Sequence, residues 1–317
     1  MTATNNNSAV IDLPCWEVLQ PLVGGAGAAA TPGILVNDKR GTNRFVYYLF
    51  SATSFWRYDT QANTFQQLAS PPGGTTGAGT ALVFDPSQNS SGYVWALISS
   101  GTGAPTWQYY NIAANAWTAR SVTNLPATFG TDAALSHTCS TYNVAGDDDF
   151  IYLIGNNATV FYRYSIAGNS WSSALTACTG TSGAGCALLW MPGWDTDRIV
   201  RIRGTASATI DYYSVLNNNW TAITYVPATE TFTTGSQCVS RGMANDQIFI
   251  EKDATLRIYR LDLGDATLTP VATEYLVATG AALVGDRFVY VQEANGIEFL
   301  YFGLSTSANF MRTALFF

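Results

Sequence analysis

WQYYNIAANAWTAR, residues 107–120, is the stretch that decides the fold of this chain. Apolar and polar residues alternate along it as on a half-buried strand, broken by an Asn-bearing turn before Trp117. Nearly the same phrase stands at 55–68 as FWRYDTQANTFQQL, at 161–174 as FYRYSIAGNSWSSA and at 210–223 as IDYYSVLNNNWTAI. The four align without gaps on Tyr58, Tyr110, Tyr164 and Tyr213. Seven residues after each Tyr comes an aromatic: Phe65, Trp117, Trp171 and Trp220. These anchors are 52, 54 and 49 residues apart, and a period near 50 marks a propeller or solenoid.

Two weaker copies follow, one with Tyr259 in LRIYRLDLGDATLTPV and one with Tyr301 and Phe310 in EFLYFGLSTSANFMRT. A second phrase, GAGTALVFDP at 77–86, returns as GAGCALLWMP at 183–192, two periods later. Short apolar runs in the same place are GILVN, DAALSHT, SQCVSRG and GAALVGD. Between each of these and the next Tyr phrase lies another β-branched and aromatic run, such as YVWALIS at 93–99 or DFIYLIG at 149–155. Each unit therefore reads as four strands, and no window shows helical periodicity over three turns. The expected fold is all-β: a six-bladed β-propeller of four-stranded antiparallel blades, at about 33–70, 78–122, 131–175, 184–226, 236–272 and 280–317. Residues 1–11 are expected to form a flexible arm before this single domain.

Closure leaves one strand too many. DLPCWEVLQ at 12–20 reads as a fourth strand with Trp16 as anchor, and NFMRTALFF at the C-terminus reads as another. The assignment favoured is that 12–20 completes the last blade, leaving the C-terminal strand as an edge extension or a partner contact. The reverse assignment is the alternative.

The layout resembles kelch-type propellers, whose blades carry a Tyr in the third strand and a Trp early in the fourth. The resemblance covers about 280 residues and is degenerate: the kelch double glycine is missing, with Ser99-Ser100-Gly101 and Gly155-Asn156 as nearest stand-ins. It implies the fold and says little of activity.

Composition excludes several function classes. Charged residues are 12% of the chain and hydrophobic ones 47%, with a net charge of −7, so a broad basic surface for nucleic acid is not expected. The chain has no apolar run long enough to span a bilayer, and MTATNNNSAV carries neither the basic nor the apolar region of a Sec leader. The cations are Lys39, Lys252 and arginines that look scattered. Cys15, Cys139, Cys178, Cys186 and Cys238 follow no metal-ligand spacing; they read as buried thiols, with a Cys178–Cys186 loop disulfide as the alternative.

Catalytic groups do not converge. His137 is the single histidine, too few for an imidazole-held copper or zinc centre, and no GxSxG elbow is present. The Asp-box repeat of sialidase-like propellers is missing, and most carboxylates fall at turns, where Asp bonds nearby amides. Asp147, Asp149, Asp195 and Asp197 are weak Ca²⁺ candidates without the ligand spacing of a known loop. The Gly-rich segments lack the Lys and the helix of a phosphate loop. No cofactor is expected, and no enzymatic activity; a glycosidase is the main enzymatic alternative.

In a propeller, the connections between strands 2 and 3 and between blades share one face. Here they read SPPGGTTG, SSGTGAP, GNNAT, TACTGTSGAG, GTASA and PATETFTTG, nearly free of charge. The other face reads NDKRGTNR, DPSQNSSG, VAGDDD, GWDTDR, GMANDQ and VGDR, charged and mainly acidic. A neutral face of small residues is cheap to desolvate and suits flat packing on a protein. The low charge and Ser/Thr/Asn/Gly richness resemble bacteriophage virion proteins of tail, collar or fibre. That resemblance implies a structural or docking module in a virion, held by other virion proteins in several copies, without membrane insertion. The alternative is a propeller that binds or cleaves a glycan, such as one on a host surface, with Trp107, Trp190 or Trp194 stacking on sugar beside carboxylates at a channel mouth; Trp194 with Asp195 and Asp197 is the best such cluster. A kelch-like cellular adaptor is a third reading. Candidate contact residues are Trp190, Trp194, Asp195, Asp197, Phe316 and Phe317.

Overall fold

The structure, a computed structural model, describes residues 16–20, 34–38, 43–51, 53–74, 76–77, 79–88, 90–100, 103–126, 133–138, 150–155, 159–173, 175–195, 197–204, 206–226, 230–233, 236–242, 245–252, 257–272, 287–303 and 310–315. The expected arm at 1–11, Cys15, Cys139, Asp147–Asp149, Phe316 and Phe317 lie outside them, as do the side chains of Trp16 and His137.

The chain is a six-bladed β-propeller. It opens with β1 (Trp16–Val18). Blade 1 is β2 (Ile34–Asn37), β3 (Phe45–Ser51), β4 (Ser54–Asp59) and β5 (Thr64–Gln67). Blade 2 is β6 (Ala81–Asp85), β7 (Tyr93–Ile98), β8 (Thr106–Asn111) and β9 (Ala116–Arg120). Blade 3 is β10 (Ala133–Thr138), β11 (Phe150–Gly155), β12 (Phe161–Ser165) and β13 (Ser170–Ser172). Blade 4 is β14 (Ala187–Trp190), β15 (Arg198–Ile202), β16 (Ile210–Ser214) and β17 (Asn219–Ile223). Blade 5 is β18 (Gln237–Ser240), β19 (Gln247–Lys252), β20 (Arg257–Asp262) and β21 (Thr267–Ala272). The last sheet holds β22 (Arg287–Gln292), β23 (Glu298–Gly303) and β24 (Phe310–Leu315), with β1 paired antiparallel to β24. Every pairing between neighbouring strands of a blade is antiparallel, and among the described residues no helix is long and apolar enough to cross a membrane.

The burial pattern follows from stacking. Second strands such as YVWALI in β7 are buried on both faces, because a neighbouring blade covers each face; outer strands such as AWTAR in β9 are mostly exposed. The apolar core is accordingly six clusters, one in each seam between neighbouring blades. Burial of this kind supplies stabilisation of about 25 cal/mol per Å² of apolar surface removed from water.

The last blade corrects the sequence reading. The expected first strand there, GAALVGD at 280–286, lies outside the described residues, and β22 takes the inner place, touching β2 and β18 as the other inner strands touch one another. The aromatic packing agrees. Tyr58 and Phe65 enclose Phe310, as Tyr110 and Trp117 enclose Phe55 of the preceding blade, and as Tyr213 and Trp220 enclose Phe161. Phe310 therefore stands at the start of a third strand. Trp16 pairs with Thr313 as Trp117 pairs with Tyr110. The N-terminal strand completes the last blade as expected, and the C-terminal strand is no extra edge but the third strand.

Blade 5 needs a smaller correction. Its turn spans 263–266, which puts Leu261 and Leu268 opposite one another in the places of Tyr58 and Phe65; Tyr259 is two residues out of register. Leu in both places kept the sequence from showing the true alignment.

Candidate functional site

The recurring phrase is a latch between blades. Tyr110 Oη donates to Asn115 Oδ1 at 2.8 Å, and the same oxygen accepts from the amide of Ala69 in the preceding blade at 3.0 Å. Tyr58–Asn63, Tyr164–Asn169 and Tyr213–Asn218 repeat the first bond at 2.7 Å. Gln20, Ser121 and Thr176 supply the amides. Each of these Asn residues has φ between 46 and 51°, a conformation Asn tolerates better than most side chains. Trp117 and Trp220 add indole bonds to Ala69 and Thr176 carbonyls. At the closing seam Gln20 both donates to Asn63 and accepts from the Phe65 amide, so β1 is fastened to blade 1 as well as to β24. Arg312 reaches Glu17 and Glu293, each at 2.6 Å.

The arginines are not scattered. Arg57, Arg163, Arg260 and Arg312 hold the same register position, one residue before the Tyr place, and Tyr109 and Tyr212 fill it in the other two blades. Arg57, Arg163 and Arg312 lie over Phe45, Phe150 and Phe299 at 4.3, 4.3 and 4.4 Å. They are blade-packing side chains with snorkelled charge.

Blade 4 adds to the shared phrase side chains that the other copies lack. The 191–197 turn between β14 and β15 is closed by its own hydrogen bonds, with the Trp194 and Asp195 amides both donating to the Met191 carbonyl. Arg198 lies 4.2 Å from the Trp194 ring and 4.5 Å from the Tyr212 ring, and pairs with Asp195 at 3.0 Å. Asp197 accepts from Ser214 Oγ and the Leu216 amide. The turn holds Trp194, Asp195 and Asp197 near one another, but one aromatic face is covered by Arg198 and the carboxylates face local partners. Trp190 and Trp107, expected as exposed stacking residues, are 5% and 1% exposed and sit in seam clusters. Among the described residues no group of three His, Cys, Asp or Glu side chains is placed to hold a metal ion. Cys178 and Cys186 are buried thiols that form no disulfide, and burial pushes the Cys178 thiol up to about 11.

The residue that sequence reading missed is Arg201. It faces the seam with blade 3 and is fully buried against an equally buried Asp211. At the same register the other blades carry Tyr48/Trp56, Ala96/Gln108, Leu153/Tyr162, Ile250/Tyr259 and Phe302/Met311. Arg201 uses all five of its donors: Nε and Nη2 to Asp211 at 2.7 and 2.5 Å, Nη1 to Gly180 O and Ser182 Oγ, and Nη2 to Thr179 O. It staples the connection from blade 3 to blade 4. Arg203 then adds Nε and Nη2 to the same Asp211 Oδ2, at 3.2 and 3.0 Å, and Nη2 to Thr179 Oγ1 at 3.0 Å. Arg203 is 21% exposed, at the rim of the face made by the interblade and strand 2–3 connections. Among the described residues of those connections the other charge is Glu230, which pairs with Lys252. Among the described residues, the charge of that face stands on these side chains.

With this geometry in place, comparison with known proteins bears on the fold. No family model matches the chain, and no curated protein matches it in sequence. Several solved structures resemble it. One is an auxiliary nutrient binding protein of Bacteroides ovatus, 12% identical, TM-score 0.63, over 99% of this chain and 74% of that one. Another is an auxiliary nutrient binding protein of Bacteroides thetaiotaomicron, 10% identical, TM-score 0.62, over 90% of this chain and 69% of that one. A third, of unknown function from the same organism, is 12% identical, TM-score 0.63, over 96% and 76%. At these identities the likeness establishes the propeller fold and nothing more specific.

Proposed function

We propose that this chain is a non-enzymatic docking propeller that packs its weakly charged face, built from the interblade and strand 2–3 connections, against another protein. The observation that carries the reading is the charge of that face: among the described residues of its connections Glu230 and Lys252 neutralise each other, leaving Arg203. Covering such a face strips little hydration from charged groups. The Ser/Thr/Asn/Gly-rich, low-charge composition supports placing the partner in a phage virion, in tail, collar or fibre, assembled in the host cytoplasm with several copies. The test is to purify particles from the producing cell, measure copy number by quantitative mass spectrometry and map neighbours by cross-linking. A fixed copy number with cross-links from these connections is expected. Recovery as a free monomer that binds or cleaves glycans on an array overturns it.

Two of the three Bacteroides neighbours are called auxiliary nutrient binding proteins, which favours a ligand-binding propeller as the second reading. Against a sugar platform at 190–198 stands Arg198, already packed on the rings of Trp194 and Tyr212.

A further inference from the structure

We propose that Arg203 is a preset carboxylate-recognition point on the docking face, taking an Asp or Glu side chain of the partner protein; this rests on the docking reading above. The cluster holds two guanidinium groups and one carboxylate. Asp211 is matched by Arg201 in a fully buried pair. The second positive charge, on Arg203, is held at the rim, and among the described residues it only shares Asp211 with Arg201.

Its geometry is fixed before any partner arrives. Asp211 Oδ2 holds the Nε and Nη2 edge, and Thr179 Oγ1 takes the remaining Nη2 hydrogen. Nη1 makes no hydrogen bond among the described residues, so its two hydrogens are the ones left for a ligand. Gly180 keeps that edge open. At φ +79°, with an added Cβ only 2.9 Å from Arg203 Nη1, any side chain there would crowd it. A partner that covers the face with neutral groups alone buries an uncompensated charge, whereas one that brings a carboxylate completes the pairing two by two. A guanidinium whose rotamers are already fixed loses little entropy on binding.

Two arms test this on the full-length chain. In the first, sodium formate is titrated against the free protein and the side-chain Nε signals of arginine are followed by NMR, with sodium chloride at equal ionic strength as control. A saturable shift of the Arg203 signal with formate alone is expected, weakened severalfold in Thr179→Val, which loosens the guanidinium without removing it. The second arm compares recovery on purified particles. Arg203→Gln and Arg203→Glu should lose more than about tenfold, with Arg203→Lys between them and the parent. Arg201 and Asp211 remain paired in these variants, and equal urea midpoints check that folding is intact. No saturable shift, an equal shift with chloride, or Arg203→Gln docking as well as the parent overturns the inference. If the unmodified chain is not on particles at all, the docking reading falls, and the formate titration still decides for or against the recognition point.

Discussion

Replacing Asn115 with Ala should cost about 3 kcal/mol, because one oxygen serves two blades. Three losses combine. Tyr110 is buried, and its hydroxyl loses its acceptor at 2.8 Å; an unpaired buried hydroxyl costs ~1–3 kcal/mol. The Ala69 amide loses the same oxygen at 3.0 Å, but water reaches that bond, so roughly 0.5 kcal/mol is lost. Ala at φ +49° adds about 1 kcal/mol of backbone strain. Urea unfolding followed by tryptophan fluorescence and far-UV circular dichroism measures the sum, with a constant denaturant slope as the check on cooperativity. Asn115→Gly removes the strain and should recover about 1 kcal/mol. Asn115→Asp keeps an acceptor and should fall within about 1 kcal/mol of the parent. With Tyr110→Phe in the background, Asn115→Ala should cost less by about 1–2 kcal/mol, since the orphaned hydroxyl is gone. If Asn115→Ala lies within about 0.5 kcal/mol of the parent, or is additive with Tyr110→Phe, the latch is not what holds this seam.

Three further outcomes are expected. Arg201→Leu alone should destabilise by ~3–5 kcal/mol, whereas Arg201→Leu with Asp211→Tyr, the residue pair that blade 3 carries at this register, should be near neutral in urea midpoint; a double variant as unstable as the single one refutes the equivalence. Gln108 is buried with no partner for its Nε2, so Gln108→Leu should raise the thermal midpoint, and a fall of several degrees counts against it. Alkali should unfold the protein through its tyrosines: burial pushes Tyr110 up to about 12, and Tyr58, Tyr213 and Tyr301 are raised as well. A raised folded value means the stabilisation is complete below about pH 10, where free tyrosine titrates, and is lost as pH rises through the folded values. Absorbance at 295 nm should therefore rise together with loss of circular dichroism, and early ionisation of all tyrosines in folded protein would contradict it.

Legibility followed the chemistry of each copy. Blades 1 to 4 were readable because Tyr, Asn and an aromatic sit at fixed offsets, and the offsets are those of a latch whose parts must meet. Blade 5 misled because Leu261 and Leu268 do the packing without the hydroxyl, and Ala266 takes the left-handed position at φ 54°. The nearest visible Tyr, Tyr259, then captured the alignment from two residues away. The last blade misled because its turn between third and fourth strands does not exist: the chain supplies that strand from its other end, so Thr313 opposite Trp16 leaves no phrase to find.

The same reasoning says why Arg201 was invisible and Trp194 was not. RIVRIRG has the apolar alternation of any half-buried strand, with its arginines where solvent is expected. Only the register shows that Arg201 occupies a place where other blades put Tyr48, Leu153, Ile250 and Phe302 against the neighbouring blade. Trp194 advertises itself as an exposed aromatic beside acids, yet its neighbour Arg198 packs on it and pairs with Asp195. Residue type points to a site only after the partners of that type are counted. For Trp194 the partners are Arg198 and Tyr212 of its own blade. For the Arg201–Asp211–Arg203 cluster the count does not close among the described residues: two guanidinium groups share one carboxylate, and the carboxylate proposed for a partner would complete the pairs.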